Sequence, residues 1–302
     1  MIVILTGANG FVGTVMKQCL IKSGHVVYTV DRKLQNKSLQ KSKYYQEIST
    51  ECDLINFAEF PLQADAIIHA AASSPVPGIS GAKILIDNAV FSNQLIDFAK
   101  RSGVKKFIYL STISVYGEIL TGEVLESTPI INPSLYGTTK RYAEQYLDQE
   151  KGVISSISIR LPGVIGYKSV RNWLTTVLNS ARNGDEIKVY NSESLFNNAI
   201  HVDDLCQFVV SLLSSELNGA EIINVAAKDP ISIQNVVELI NAGFGSKSKI
   251  TFSSINSTSF LISSEKAKDL FGYQPKKTSE ILKRFIEQNN LAINVLGFKN
   301  YT

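Results

Sequence analysis

The chain has 302 residues, of which 44% are hydrophobic and 19% charged, with a net charge of +3. These values are typical of a globular protein with a large core in one or two domains, and they give no indication of nucleic-acid binding. No apolar run approaches the roughly 18 residues that span a membrane, and the first residues lack the charged start of a signal peptide. We therefore expect a cytoplasmic protein without a nucleic-acid or membrane partner. The three cysteines and three histidines are scattered, which predicts neither a disulfide framework nor a metal site.

Short β-branched runs alternate with helical patterns in the N-terminal half. The predicted strands, in chain order, are residues 2–5, 26–30, 66–69, 106–110 and 153–159. The predicted helices are residues 11–23, 84–102 and 135–148. Continuous apolar strands separated by helices indicate a parallel sheet covered on both faces. Right-handed crossovers then give an α/β fold with a doubly wound parallel sheet, the Rossmann type.

The pattern changes from about residue 166. Residues 171–190 are typical of one helix and a short strand, a further helix follows at 201–213, and the tail ends in an amphipathic helix near 280–289. We predict two domains from this change. The first is an NAD(P)-binding Rossmann domain of residues 1–165 and 197–224. The second is a smaller mixed α/β substrate-binding lobe of residues 166–196 and 225–302.

The segment TGANGFVG places three glycines between the first predicted strand and the first helix. Without a Cβ, the backbone can turn sharply and approach a pyrophosphate closely, and the N–H groups of a helix N-terminus bind that anion. An ordinary tight turn is the alternative, but the order of strand, loop and helix favours dinucleotide binding. The loop residues predicted to hold the cofactor are Gly7, Asn9, Gly10, Phe11, Val12 and Gly13.

Asp31 ends the next strand, close to the spacing of about 20 residues at which an acid binds the adenosine ribose. A carboxylate there repels a 2′-phosphate and favours NAD, whereas Arg32 can pair with that phosphate, so NADP is not excluded. An acid near the adenine amine and small residues at a strand end complete the predicted pocket. These further residues are Asp53, Leu54, Ala70, Ala71 and Ala72.

Tyr136 and Lys140 are four residues apart and therefore share one face of a helix. A free tyrosine has a pKa near 10, which is too high for a base at neutral pH. The lysine ammonium, together with the positive charge of an oxidised nicotinamide, favours the phenolate and lowers that pKa. Tyr136 can then take a proton from a substrate alcohol while hydride leaves the carbon for the cofactor. Thr112, at a strand end where open sheets place their ligands, is predicted to hold the reacting oxygen.

TGANGFVG, HAAA, STISVYG, Tyr136 with Lys140, and RLPGVIG together resemble the extended short-chain dehydrogenase/reductases, in the branch of sugar-nucleotide epimerases, dehydratases and keto-reductases. The resemblance implies that Thr112, Tyr136 and Lys140 are the catalytic set and that Lys140 also holds the nicotinamide ribose. It also implies a homodimer formed through the helices at 84–102 and 135–148. The further cofactor-binding residues that it implies are Asn88, Ser111, Leu161, Pro162 and Gly163.

Two departures from this family pattern concern the substrate. Dehydratases follow the catalytic threonine with an Asp-Glu pair, whereas this chain has Ile113 and Ser114, so we do not expect a 4,6-dehydratase. Many members also carry an arginine that grips the substrate diphosphate four residues before the histidine of HVDDL, and here Asn197 takes its place. Three basic residues are left as candidates for that diphosphate, and they are Lys168, Arg171 and Lys188.

The sequence predicts an NAD(P)-dependent enzyme that transfers hydride at a carbinol carbon of a sugar nucleotide, either as an epimerase or as a 4-keto-sugar reductase. Both need the same tyrosine, lysine and threonine, so the residues do not separate them. A dehydrogenase or reductase of a small non-nucleotide ketone or alcohol is an alternative, because the diphosphate arginine is missing. A non-enzymatic dinucleotide-sensing protein is a further alternative, which the complete catalytic set disfavours.

Overall fold

A computed structural model describes residues 1–31, 45–49, 63–253 and 258–296 of the chain. The chain divides into two compact units, of which the first is Met1–Glu118, Pro129–Leu161 and Cys206–Asn224. The second unit is Ile119–Thr128, Pro162–Leu205 and Val225–Thr302. Three segments predicted to belong to the first domain lie in the second unit instead, and these are residues 119–128, 162–165 and 197–205. The strand pairs of the second unit explain this difference, because each of these segments pairs with a strand of that unit.

The strands and helices of the described ranges follow the predicted alternation. The strands are β1 (Ile2–Thr6), β2 (Val26–Asp31), β3 (Tyr45–Ser49), β4 (Ala66–His69), β5 (Lys106–Thr112), β6 (Glu123–Val124), β7 (Ser155–Leu161), β8 (Gly163–Ile165), β9 (Ile187–Val189), β10 (Leu195–Phe196), β11 (Ala199–His201), β12 (Ala220–Asn224), β13 (Ile231–Ser232), β14 (Ile250–Phe252) and β15 (Leu261–Ile262). The helices are α1 (Phe11–Lys22), α2 (Gly81–Leu85), α3 (Phe91–Arg101), α4 (Leu135–Gln149), α5 (Trp173–Asn183), α6 (Val202–Ser214), α7 (Ile233–Gly243), α8 (Glu265–Phe271) and α9 (Thr278–Leu296).

The first unit is built on a parallel sheet, which in the described part of the chain has seven strands in the order β12-β7-β5-β4-β1-β2-β3. Every neighbouring pair in it runs parallel. The predicted doubly wound α/β fold is therefore confirmed. The strand order reverses between β1 and β4, where Thr6 pairs with His69. Open sheets of this kind bind ligands in the crevice outside the carboxyl ends of the strands at such a reversal.

The helix predicted over 84–102 is interrupted. It begins earlier, at α2, because the hydroxyl of Ser80 accepts a hydrogen bond from the Lys83 N–H at 3.2 Å and caps the new N-terminus. A π-helical turn, Ile86–Val90, then separates α2 from α3. Single π turns inside helices occur frequently at functional sites. Two strands of the sheet, β3 and β12, were not among the predicted strands.

Helices α3 and α4 lie side by side and are joined by polar side chains as well as by the core. The Asn93 amide donates to the Tyr142 hydroxyl at 3.0 Å, and Lys100 Nζ lies 2.7 Å from a carboxylate oxygen of Glu150. Between these two pairs, the Tyr146 hydroxyl donates to Asp97. Beneath them, residues of both helices and of the central strands form one apolar cluster, which includes Ile4, Ile67, Leu95, Phe107 and Leu147.

The second unit is held by short strand pairs and a helical core. Strand β8 pairs with β11, β9 with β14, β6 with β15 and β10 with β13. Its apolar cluster joins α5, α7 and α9 and includes Leu174, Val237 and Phe285. Helix α9 is also fixed by an ion pair between Arg284 and Asp204. Within the described ranges, none of the helices has both the length and the apolar character that crossing a bilayer requires.

A lysine on the sheet caps the carboxyl end of α6. Lys106 Nζ donates hydrogen bonds to the carbonyl oxygens of Leu212, Leu213 and Ser215 at 3.1, 2.6 and 2.6 Å. The last carbonyl groups of a helix have no intrahelical partners and carry a partial negative charge. The ammonium therefore satisfies three of them and fixes the end of α6 beside the sheet.

Replacing this cap with an apolar side chain is expected to destabilise the first unit. We predict that Lys106→Met lowers the free energy of unfolding by about 1–3 kcal/mol, since charge-assisted hydrogen bonds to buried carbonyls are lost. Lys105→Met is the matched control, because Lys105 is exposed. Denaturant titration of both variants tests this. Equal stability of the two would contradict the capping role.

Candidate active site

The glycine loop follows β1 and packs directly against the backbone that follows β4. Gly7 has φ +71°, and a Cβ there would lie 2.7 Å from the Ala71 nitrogen. A Cβ on Gly13 would lie 2.0 Å from the Gly7 carbonyl oxygen. Gly10 precedes α1 and offers no side chain to cap it, so the first N–H groups of the helix lack intrahelical partners. This loop fits the pyrophosphate of a dinucleotide, which needs close backbone approach and free N–H donors.

The other predicted contacts of the dinucleotide are placed as follows. Asn9 is exposed in the loop, and Phe11 and Val12 are half-buried in the first turn of α1. Exposure increases from the half-buried Ala70 to the exposed Ala72 after β4. The backbone of Asp31 ends β2, as predicted. Arg32, Asp53 and Leu54 lie outside the described residues.

Asn88 lies in the π-helical turn and uses its side-chain amide within the protein. Its Oδ1 accepts from the Ser73 N–H at 2.8 Å, and its Nδ2 donates to the Ser73 carbonyl at 3.0 Å and to Thr139 Oγ1 at 3.2 Å. Both donor hydrogens of the amide are thereby engaged. The π turn thus braces the segment after β4 against α4. The predicted contact of Asn88 with the cofactor stays a prediction.

His69 sits at the end of β4 in a continuous hydrogen-bond chain. The Ser92 hydroxyl donates its single hydrogen to the Asn88 carbonyl. It must therefore accept from His69 Nε2, at 2.8 Å. His69 Nδ1 then accepts from Thr6 Oγ1 at 2.7 Å, an assignment that follows from the network. Burial, reinforced by the charge of Lys140, holds the pKa of His69 well below its ordinary value. This histidine is therefore neutral and joins β1, β4 and α3.

The proposed catalytic side chains lie on two adjacent segments. Helix α4 begins after Ser134, whose hydroxyl accepts from the Gly137 N–H at 3.2 Å. A Cβ on Gly137 would lie 2.2 Å from the Ser114 carbonyl oxygen. The first turn of α4, which carries Tyr136, therefore packs against the 3-10 turn Ile113–Tyr116 that follows Thr112. Thr112 is half-buried, and its hydroxyl donates to Ser114 Oγ at 3.2 Å.

Lys140 is one turn after Tyr136 and is only 2% exposed. Its Nζ lies 4.1 Å from the centroid of the Tyr109 ring. Burial lowers the pKa of Lys140 from 10.5 to about 7, and the charge of Glu144 opposes that effect. Lys140 is therefore charged below neutral pH, partly charged near pH 7 and neutral above it.

Tyr136 differs from the sequence prediction in its electrostatics. Burial raises the pKa of its phenol in the chain alone, whereas the neighbouring lysine predicts a lowered pKa. The cost of desolvating the phenolate outweighs its attraction to Lys140, because that lysine is only partly charged near neutral pH. The sequence prediction invoked two positive charges, that of Lys140 and that of the oxidised nicotinamide. The chain alone supplies only the first.

Sequence reasoning missed the buried carboxylate beside this pair. Glu144 accepts from Ser111 Oγ at 2.6 Å, from Arg160 Nε and Nη2 at 3.0 and 2.7 Å, and from Arg141 Nη1 at 2.9 Å. Its spacing of four residues from Lys140 gave the available signal, because 136, 140 and 144 share one helix face. Ser111, predicted as a cofactor contact, donates its hydroxyl hydrogen to this carboxylate instead of leaving it free.

The remaining predicted residues divide between the units. Leu161 ends β7 in the first unit and pairs with Thr112. Pro162 and Gly163 belong to the second unit, where Gly163 opens β8 beside β11. Among the described residues, no cluster of His, Cys, Asp or Glu has the arrangement of a metal site.

The second unit contains a cavity of about 350 Å³. Its aromatic lining includes Trp173 and Phe196, with ring centroids 5.4 Å apart, and Tyr190. Polar groups at its edge include Asn191 and Asn198. A planar ring with polar substituents matches such a lining.

Asn197, which stands at the position of the family's arginine, holds the backbone of its own unit. Its Nδ2 donates to the carbonyl oxygens of Ala227 and Ile262 at 3.2 and 2.9 Å, and its Oδ1 accepts from the Ile262 N–H at 2.9 Å. The side chain is buried and occupied in fixing β15. The basic residues Lys168, Arg171 and Lys188 are all exposed.

Comparison with known proteins gives matches over most of the chain. A family model described as the NAD dependent epimerase/dehydratase family matches residues 3–226. The chain is 27% identical to a UDP-N-acetyl-alpha-D-glucosaminuronate decarboxylase of Bacillus cytotoxicus, over 82% of the chain and 81% of that protein. It is 23% identical to a UDP-glucuronate 4-epimerase of Thermodesulfobacterium geofontis, over 97% of each. A crystal structure of the UDP-glucuronic acid 4-epimerase from Bacillus cereus in complex with NAD has TM-score 0.82 and 24% identity, over 98% of this chain and 97% of that one.

The tight contact inside the glycine loop predicts the effect of adding one methyl group. We expect Gly13→Ala to displace the loop, because its Cβ cannot approach the Gly7 carbonyl to 2.0 Å. The free energy of unfolding should fall by about 1–3 kcal/mol and NAD affinity by about tenfold or more.

Gly152→Ala is the control, because a Cβ there meets no atom within 4 Å. Calorimetric titration with NAD measures both variants. Wild-type affinity in Gly13→Ala would show that the loop is not the pyrophosphate site.

Proposed function

The chain belongs to the NAD-dependent epimerase/dehydratase family, and from that membership we propose that it is a nucleotide-sugar epimerase acting on a UDP-sugar. The predicted family, the enzyme class and NAD as the cofactor are confirmed by this membership. The observation that supports the proposed chemistry best is the buried ammonium of Lys140, one turn from the half-buried phenol of Tyr136. Both lie in the unit that carries the glycine loop.

The residues present fit NAD. The glycine loop offers close backbone approach to the pyrophosphate, and Asp31 ends β2 where an acid would meet the adenosine ribose. We assign Lys140 to the nicotinamide ribose, because its ammonium is a buried charged donor on the helix that carries Tyr136. When bound, NAD supplies the hydride acceptor and the positive charge of its oxidised ring.

In the proposed mechanism Tyr136 is the acid–base group. Its phenolate oxygen accepts the proton of a substrate hydroxyl while the C–H bond at that carbon breaks, and the same oxygen returns the proton when the C–H bond forms on the opposite face. Thr112 donates a hydrogen bond to the reacting oxygen. Lys140 stabilises the phenolate through its charge. Over the whole cycle the substrate regains both the proton and the hydride that it gave up, so there is no net oxidation or reduction, as an epimerisation requires.

Elimination is not supported by the residues after Thr112. Ile113 and Ser114 provide no acid that could protonate a leaving hydroxyl, so a dehydratase step lacks its donor. Two relatives named above act on UDP-sugars according to their names. The aromatic cavity of the second unit supports the same substrate class, because Trp173, Tyr190 and Phe196 offer stacking surfaces for a nucleotide base. We assign the diphosphate to Lys168, Arg171 or Lys188.

We also propose that the protein is a homodimer. Helices α2 and α4 and the π turn expose large apolar side chains, and these are Leu85, Ile86, Val90, Leu135 and Tyr142, each 41–45% exposed. Contiguous apolar groups of this kind on a soluble protein mark an interface. A second copy of the same face would cover them around a two-fold axis.

Bound cofactor tests the epimerase proposal. We expect freshly purified protein to release NAD on denaturation, detected by mass spectrometry, and to interconvert a UDP-sugar with its epimer without added NADH. Tyr136→Phe should keep the bound NAD and lose at least about 100-fold in turnover, since the proton acceptor is removed. Tyr146→Phe is the control on the same helix, because its hydroxyl donates to Asp97.

A requirement for stoichiometric NADH would identify a reductase instead. Full turnover by Tyr136→Phe would contradict the assigned base.

The dimer is tested by placing one charge in the apolar face. Val90→Glu should convert the protein to a monomer in sedimentation velocity at micromolar concentration, because burying an unpaired carboxylate is unfavourable. Leu120→Glu, at a residue of the second unit that is 72% exposed, should leave the mass unchanged. A wild-type protein that sediments as a monomer would exclude the proposed dimer.

A further inference from the structure

Tyr109 is a buried titratable residue that the proposed mechanism does not use. It lies in the middle of β5 and is 0% exposed. Its ring centroid is 5.2 Å from that of His69. Its hydroxyl interacts with Ser92 of α3. A fully buried aromatic ring therefore lies next to His69, beside the site described above.

The contact that this ring makes is with an ammonium. Lys140 Nζ lies 4.1 Å from the ring centroid, within the range of a cation–π interaction. The negative face of the ring attracts the charged lysine and has no comparable attraction for the neutral amine. Burial raises the pKa of Tyr109 well above its ordinary value, and the charge of Glu144 adds to this effect. The ring therefore stays neutral and keeps its quadrupole.

The carboxylate on the same helix does not replace this contact. Glu144 accepts four hydrogen bonds, from Ser111, Arg141 and twice from Arg160. A carboxylate has about four lone-pair positions, so these donors occupy it. Glu144 therefore acts on Lys140 through its charge at a distance. The other titratable neighbours, His69 and Tyr136, are neutral in the chain alone, because burial holds each in its uncharged form.

We propose that Tyr109 is a positioning residue for the reaction: the face of its ring holds the Lys140 ammonium in its charged form on the side of α4 that carries Tyr136. This role rests on the proposed function, because it acts through the lysine that stabilises the phenolate. A cation–π contact of this kind shifts the balance between ammonium and amine by about 2- to 30-fold. Losing the ring face would leave less ammonium at and above neutral pH.

The ring face and the hydroxyl are separated by two kinds of variant. Tyr109→Phe keeps the face and removes the hydroxyl, whereas Tyr109→Leu and Tyr109→Met remove the face. We expect the pH profile of turnover in Tyr109→Phe to follow the wild type. In the other two, the alkaline limb should move to lower pH by about 0.3 to 1.5 pH units, with a loss of about 2- to 30-fold at pH 8.

A second measurement needs neither substrate nor cofactor. The pKa of Lys140 is about 7 in the fold and 10.5 in the unfolded chain, so the unfolded chain binds more protons between these values. The free energy of unfolding therefore rises with pH across this window. Lys140→Met should lack that rise. In Tyr109→Leu and Tyr109→Met, the free energy of unfolding should begin to rise at a lower pH than in wild type. In Tyr109→Phe, the rise should begin at the same pH as in wild type.

The two measurements separate failure of this inference from failure of the proposed function. If the wild type converts no UDP-sugar, the proposed function fails and the unfolding series alone decides the role of Tyr109. If Tyr109→Leu and Tyr109→Met both had the wild-type dependence of turnover and of unfolding free energy on pH, the inference would be overturned. So would a Tyr109→Phe variant that behaves like Tyr109→Leu, because the hydroxyl and not the face would then be responsible.

Discussion

A positive charge buried against a parallel sheet is the constraint around which the first unit is organised. Lys140 is 2% exposed, and the carboxylate whose charge acts on it, Glu144, is already occupied by Arg160, Arg141 and the Ser111 hydroxyl. Positive charge therefore exceeds negative charge in this part of the core. The phenol of Tyr136 is the group on the same helix that can become an anion, but burial raises its pKa, so its ionisation needs the further positive charge of the bound cofactor.

The fold brings these groups together through the strand order. The reversal between β1 and β4 opens a crevice, and the glycine loop enters it because Gly7 and Gly13 leave room for the backbone at Ala71 and at the loop itself. Helix α4 brings its tyrosine and lysine to the same edge, since Gly137 lets its first turn approach the segment after β5. Neutral His69 ties the strands together without adding a competing charge.

Much of this was predictable from the sequence, because periodicity and glycine context are local signals. The alternating strands and helices, the glycine loop and the spacing of Tyr136 and Lys140 predicted the fold and the chemistry. What was not predictable depends on contacts between distant residues. Two partners of Glu144, Ser111 and Arg160, come from β5 and β7. The ring of Tyr109 on β5 meets Lys140 of α4, so no local spacing reveals these contacts. The raised pKa of Tyr136 likewise follows from burial, which the helix pattern alone does not give.

The central claim is that positive charge, from the lysine and from the bound cofactor, makes Tyr136 a base. The most direct measurement is a ¹³C NMR titration of the Tyr136 phenol carbon in wild type and in Lys140→Met, with and without NAD. We predict that the phenol titrates above its ordinary pKa in the free protein, titrates at markedly lower pH when NAD is bound, and loses most of that change in Lys140→Met. A phenol whose titration is the same in all four samples would contradict it.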